Sequence, residues 1–189
     1  EIKTHRKADF KMTRHNHIRL LIISIFTMIA VLTGGCSSSP SPIPPSAPQS
    51  GTGQGLTVHY IDVGQGDSIL AESNGHYMLI DAGENDQAGT VISYLKAQGV
   101  TKLDYVIGTH PHSDHIGGLD KVIDTFPVDK VILPPVEHTT KTFEDVLDSI
   151  ASRGLKITKP TPGDSYDLGD ASFTILSPVK DYGSDLNNW

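Results

Sequence analysis

The chain has 189 residues and a formal net charge of −7, with 37% of its residues hydrophobic, 6% aromatic and 20% charged. That length suits one ordinary domain with some chain to spare, and a lone cysteine, Cys36, excludes a disulfide within the chain. Residues 1–36 carry six Lys/Arg against two acids and the rest nine against twenty, a net of −11 that argues against non-specific nucleic-acid binding unless a metal or a local basic strip offsets it.

Reading from Met12, Arg14 and Arg19 form a positive n-region, and residues 20–32 form a mostly apolar run of 13. A membrane span needs about 20 helical residues, so this run predicts a signal-peptide core. It ends in Leu32-Thr33-Gly34-Gly35-Cys36. Small residues before a cysteine resemble the bacterial lipobox, where cleavage leaves the cysteine as a lipid-modified N-terminus. Thr33 stands where leucine is usual, and the alternative is a plain cleaved signal or an uncleaved anchor with an incidental cysteine. The expectation is an exported protein tethered to the extracellular face of the cell membrane by a lipid on Cys36. Residues 37–55 are Ser/Pro/Gly-rich without apolar periodicity and predict a linker. A domain is expected over 56–189, and its abrupt end at 185–189 (DLNNW) predicts that only its N-terminal part is present.

Residues 56–63 (LTVHYIDV) alternate and are β-rich, so they predict a strand. Gly64-Gln65-Gly66-Asp67 predicts a tight turn and 68–72 a second strand. Asn74-Gly75 is a strong hairpin signal before a third strand over 76–80. Val91, Ile92 and Leu95 share one face of a helix predicted over 89–98, with Gly99 as its stop. Residues 103–107 (LDYVI) read as a short buried strand. After a His-rich loop come a helix at 116–124, a strand at 128–133 stopped by Pro134-Pro135, and a helix at 143–152 ended by Gly154. Strands at 155–159, 165–168 and 171–176 complete the pattern. Three opening strands, helix–strand alternation and further strands predict a mixed α/β sandwich of the α+β type.

Residues 108–118 (GTHPHSDHIGG) pack three imidazoles and one carboxylate into six residues, directly after the buried strand. Borderline cations such as zinc favour these ligand types. In an extended loop His110 and His112 point the same way and can grip one ion. A following turn can bring Asp114 and His115 to a second. Two such ions would share a water, lower its pKa and clamp charge developing on a substrate. An isolated histidine is more often a solvated or core residue, and His59, His76 and His138 are read in that way. Four ligand-type residues in six, between a strand and Gly-Gly, are hard to read as loop decoration.

The run HPHSDH resembles the His-x-His-x-Asp-His motif of the metallo-β-lactamase superfamily. Residues 61–67 (IDVGQGD) and 79–83 (LIDAG) look like the opening strands of the branch that contains the C-terminal domain of the competence protein ComEC. Residues 185–189 are similar to the Asn-rich entry to a later strand there. The resemblance runs from about Leu56 to the end and implies an αββα sandwich. It further implies that His110 and His112 bind a first divalent metal and that Asp114 and His115 bind a second. Zinc is the foremost choice for both and manganese the alternative. Asp114 would also position or deprotonate the nucleophile. Asp81 falls where the family carries a carboxylate that orients a metal-binding histidine; the other reading is a loop cap. Asp62 and Asp67 are adequately explained by turn chemistry. The family expects a bridging aspartate and further histidines downstream, beyond the residues present here.

The leading expectation is metal-dependent hydrolysis of a phosphodiester outside the membrane, in a small molecule or in DNA. A hydrolase of esters, lactones or β-lactams is the alternative within the same fold. A non-catalytic, membrane-tethered binding module is the third reading, against which the intact His110–His115 run argues.

Overall fold

The computed structural model describes residues 55–188. The expected leader with Cys36, the linker up to residue 54, and Trp189 lie outside the described residues. Short alternating and apolar segments build one six-stranded sheet from β1 (Thr57–Tyr60), β2 (Ile69–Ser73), β3 (His76–Ile80), β4 (Leu103–Ile107), β5 (Val128–Ile132) and β6 (Ile157–Thr158), in that spatial order. The first three strands are antiparallel. β2 and β3 are joined by Asn74-Gly75, both at positive φ (51° and 78°), the conformation a two-residue hairpin of this type demands. From β3 to β6 the strands run parallel, and each crossover carries helix.

Those helices are α1 (Ala88–Ala97), the short α2 (Ser113–Ile116) with α3 (Leu119–Thr125), and α4 (Lys141–Ser152). They cover one face of the sheet. Leu70, Leu79, Val106 and Val131, all at 0% exposure, pack there with Val91 and Leu95 of α1, Leu119, Val122 and Ile123 of α3, and Val146 and Ile150 of α4. Each such side chain contributes about 1.5–3 kcal/mol by leaving water. On the opposite face a hairpin of β7 (Ser165–Leu168) and β8 (Ala171–Thr174) lays Leu168 and Phe173 over Ala71, Met78 and Tyr105. The described residues thus form a helix layer, a main sheet and two strands of a second sheet, which is the α–β–β portion of the expected αββα sandwich. No helix among the described residues is long and apolar enough to cross a membrane.

Several expected boundaries shift. The helix expected at 116–124 is divided into α2 and α3 at Gly117-Gly118. A Cβ at Gly117 would meet the Asn85 backbone nitrogen at 2.3 Å, and one at Gly118 the Ala82 carbonyl oxygen at 2.6 Å. The pair is a close-packing point, and Asp114 and His115 ride on the helical turn of α2, where a turn after the extended His110–His112 segment was expected. β1 ends at Tyr60, three residues early, because Ile61 bonds to the Ser68 carbonyl at 2.9 Å and the chain then enters the glycine turn. α4 begins at Lys141, two residues early, because Thr140 caps it by accepting from the Phe143 amide. β6 and β8 are shorter than expected, and a 3₁₀ turn (Asn85–Gln87) precedes α1.

Parallel pairing has one consequence for function. The carboxyl ends of β3, β4, β5 and β6 share an edge, so Asp81, residues 108–115, residues 133–140 and Lys159 emerge together there. The turn 64–67 closes onto the same edge: the Asp67 amide donates to the Asp114 carbonyl at 3.3 Å and the Gly83 amide to the Asp67 carbonyl at 2.9 Å. Gly66, at φ 96°, leaves no room for a side chain, since a Cβ would stand 1.7 Å from the Asp114 oxygen. Gly64, at φ 73°, faces open space. Gly64→Ala should therefore cost only the left-handed backbone strain, about 1–2 kcal/mol. Gly66→Ala adds a backbone clash and should cost clearly more in urea unfolding; equal costs would show that the turn does not pack on α2.

Candidate metal centre

Asp81 leaves β3 at φ 58°, a left-handed conformation that aspartate tolerates better than most residues. Its backbone is pinned on both sides: the amide donates to the Ile107 carbonyl at 2.9 Å, and its carbonyl accepts from the Ser68 hydroxyl at 3.1 Å. The residue is 1% exposed, so its carboxylate must be satisfied internally. Oδ1 accepts from the Thr109 amide at 2.8 Å. Oδ2 accepts from the Thr109 hydroxyl at 2.6 Å and from His115 Nδ1 at 2.9 Å.

These bonds assign two tautomers. An ionised carboxylate only accepts, so His115 carries a proton on Nδ1, and in the neutral ring Nε2 keeps its lone pair. The single Thr109 hydroxyl proton is committed to Asp81. Toward His110 Nδ1, 3.1 Å away, that oxygen can only accept, which puts the His110 proton on Nδ1 and leaves its Nε2 free as well. One buried carboxylate thus orients His115 directly and His110 through a hydroxyl.

His112 is the N-terminal residue flanking α2, and its carbonyl accepts from the His115 and Ile116 amides at 3.1 and 3.0 Å. The rings gather closely, His110 lying 4.0 Å from His115 and 4.8 Å from His112 between centroids. His115 Nε2 and Asp114 Oδ2 are 3.9 Å apart, close to the span of two ligands that each reach about 2 Å to a shared cation. Among the described residues, no three His, Cys, Asp or Glu side chains already stand in an arrangement that would hold an ion. The donor set nevertheless suits one: three imidazoles, a carboxylate, and two lone pairs presented by the tautomers above.

Burial pushes the His110 pKa down, with the neighbouring His115 and His112 acting in the same direction, so this ring favours the neutral form a metal ligand requires. The hydrogen bond to Asp81 pushes His115 the other way, with the charges of Asp81, Asp114 and Asp67 adding to it. Asp67 reaches His115 Nδ1 at 3.7 Å from an exposed position, so it contributes charge there as well as turn geometry.

The structure therefore brings Asp81, His110, His112, Asp114 and His115 into one group. His59 instead bonds to the Tyr94 hydroxyl at 3.0 Å, and His76 to Asp104 at 3.1 Å. His138, read from sequence as an ordinary loop histidine, is half-buried with its ring 6.3 Å from His112. Thr109 carried no signal of its own, since a threonine before a histidine motif is unremarkable until its hydroxyl is seen on Asp81. Asp62 accepts from the Gly64 amide at 3.1 Å, as a turn residue does.

Residues 61–178 match the sequence profile of the Metallo-beta-lactamase superfamily. The chain is 28% identical over 149 residues to ComE operon protein 3 of Bacillus subtilis (strain 168), covering 69% of this chain and 19% of that protein. It is 32% identical over 126 residues to Recombination protein 2 of Haemophilus influenzae, covering 64% and 14% respectively. It is also 28% identical over 108 residues to a hydroxyacylglutathione hydrolase of Photorhabdus laumondii, covering 57% and 36%. The chain thus spans less than a fifth of the first two relatives and about a third of the other.

In the metal-free protein, NMR titration should find His115 above and His110 below the ordinary imidazole range, and Asp81→Asn should abolish the elevation of His115. Turning an acceptor into an amide inside this network should also cost about 3 kcal/mol of stability. Because the His115 pKa is raised on folding, its charged pair with Asp81 contributes fully below the ordinary imidazole pKa. That contribution fades as pH rises through the folded value, so the gap between wild type and variant should narrow toward high pH. A gap that widens would contradict this assignment.

Proposed function

Because the chain belongs to the metallo-β-lactamase superfamily of hydrolases, we propose that it is a metal-dependent phosphodiesterase whose substrates include DNA strands. In this reading His110 and His112 hold one divalent ion, and Asp114 and His115 hold another. Zinc is the foremost candidate and manganese the alternative. The observation that carries it is the Asp81 network, which commits the Nδ1 protons of His110 and His115 and leaves both Nε2 lone pairs for a cation. The chemistry such ions supply when bound is a water activated near neutral pH and neutralisation of charge developing on the substrate. Asp114 orients the attacking water and accepts its proton. Asp81 keeps the two rings from rotating, and the turn at Gly66 clamps the Asp114 backbone.

Two observations support a phosphodiester. One is the similarity to Recombination protein 2 together with the ComEC-like motifs. The other is a cleft of about 520 Å³ lined by Pro135, Lys159, Lys180 and Asp181. Pro135 follows β5 and Lys159 follows β6, so the cleft opens on the same edge as the histidines. Two lysines against one carboxylate make it a locally basic strip on an otherwise acidic body, suited to a neighbouring phosphate. Export and lipid attachment at Cys36 would present this chemistry outside the cell membrane. Similarity to hydroxyacylglutathione hydrolase and the −11 charge favour the second reading, an ester, lactone or β-lactam hydrolase with a small substrate.

Cleavage of single- and double-stranded DNA by the full chain with zinc or manganese tests the proposal. Asp114→Ala should abolish metal-dependent cleavage. The double variant Lys159→Ala/Lys180→Ala should raise KM several-fold and flatten the salt dependence by up to about two charges, with kcat little changed. If the metal-loaded wild type leaves DNA intact but opens an ester or lactone, the second reading replaces the first.

A further inference from the structure

We propose that His138 is a substrate-contacting residue of this centre, donating a hydrogen bond from Nε2 to a phosphoryl oxygen of the bound phosphodiester. The proposal rests on the phosphodiesterase reading above. It starts from placement: the loop 133–140 leaves the carboxyl end of β5 beside the loop that leaves β4. The His138 ring meets His112 edge-on at 6.3 Å between centroids and 69° between planes. Its other neighbour is Phe143, 6.2 Å away at 76°, which is 8% exposed and belongs to the main core. A histidine braced on the core side by a buried aromatic and set against His112 has a defined position, unlike a solvated loop residue.

The hydrogen bonds set its polarity. Thr140 caps α4, and its oxygen accepts from the Phe143 amide at 3.4 Å. The hydroxyl proton is then free to go to His138 Nδ1, 2.9 Å away, and in the proposed role it does. Both partners are satisfied when the neutral ring carries its proton on Nε2, the nitrogen that Thr140 does not engage. This is the opposite arrangement to His110 and His115, whose Nδ1 protons are committed and whose Nε2 atoms are lone pairs. The centre therefore holds two kinds of imidazole: rings prepared to accept a cation, and one prepared to donate to an anion. A donor beside the cation-binding rings suits the non-bridging oxygen of a phosphate, on which negative charge is concentrated during attack.

The test uses the full chain loaded with zinc, with His138→Ala, His138→Gln and Thr140→Val. Metal content, kcat and KM on bis(p-nitrophenyl) phosphate, and the ¹⁵N signals of the His138 ring are measured with and without inorganic phosphate. His138→Ala should lose about tenfold to a hundredfold in kcat/KM with its metal content unchanged. His138→Gln, which keeps a donor of similar reach, should recover part of that loss. In the wild type the ring should show Nε2 protonated and Nδ1 bare, with the Nε2 signal shifting on addition of phosphate. Thr140→Val should weaken this tautomer preference. Loss of metal in His138→Ala would make His138 a ligand and overturn the proposal, as would unchanged kcat/KM or a signal indifferent to phosphate. If the loaded wild type cleaves no phosphodiester, the functional reading falls by itself, and the phosphate titration still decides whether His138 contacts an anion.

Discussion

A carboxylate taken out of water must be met by donors, and the candidate centre depends on how Asp81 meets that demand. At 1% exposure it collects the Thr109 amide, the Thr109 hydroxyl and the His115 ring. Asp67, 3.7 Å from the same His115 nitrogen, adds charge from an exposed position but stands beyond hydrogen-bond distance. The same three bonds that repay its desolvation fix the end of β4, the rotamer of Thr109 and the tautomers of two histidines. Structural necessity and chemical preparation are here one set of contacts.

Around that carboxylate, the backbone is drawn in closely enough that only glycine fits. Gly66 lies against the Asp114 carbonyl, Gly117 against the Asn85 amide and Gly118 against the Ala82 carbonyl. These contacts bind the first turn, the segment after β3 and the short α2 into one rigid frame. They also explain why the helical pattern after the histidine motif breaks where it does. The rings that make up the centre sit on this frame and not on a free loop, which is how side chains from a six-residue run acquire a fixed geometry.

Electrostatics divide the carboxyl edge of the sheet. The body is acidic overall, yet the histidines, His138 and the Lys159–Lys180 cleft gather on one side of it. Burial holds His110 toward neutrality while Asp81 holds His115 toward charge, so neighbouring rings of the same chemical type are set differently by their surroundings. In the proposed function cations would take up the Nε2 positions of His110 and His115, displacing a proton from His115, and an anionic substrate would meet the donor and the lysines.

Much of this was legible in the sequence because it is written locally. Strand alternation, the Asn74-Gly75 hairpin, the apolar face of α1 and the density of ligand-type residues from His110 to His115 each involve neighbours along the chain, where period and spacing carry the information. What the sequence could not decide is long-range. The pairing of Asp81 with Thr109 and His115 spans 28 and 34 positions, and the approach of His138 to His112 spans a whole crossover. Asp81 could have been a loop cap, Asp67 only a turn residue and His138 only a solvated one. Parallel strand pairing brought their ends to one edge, and burial there required each polar atom to find a partner. That requirement operates only after the chain has closed on itself, which is why the residue types were readable from sequence while their hydrogen bonds and tautomers were decided by the tertiary structure.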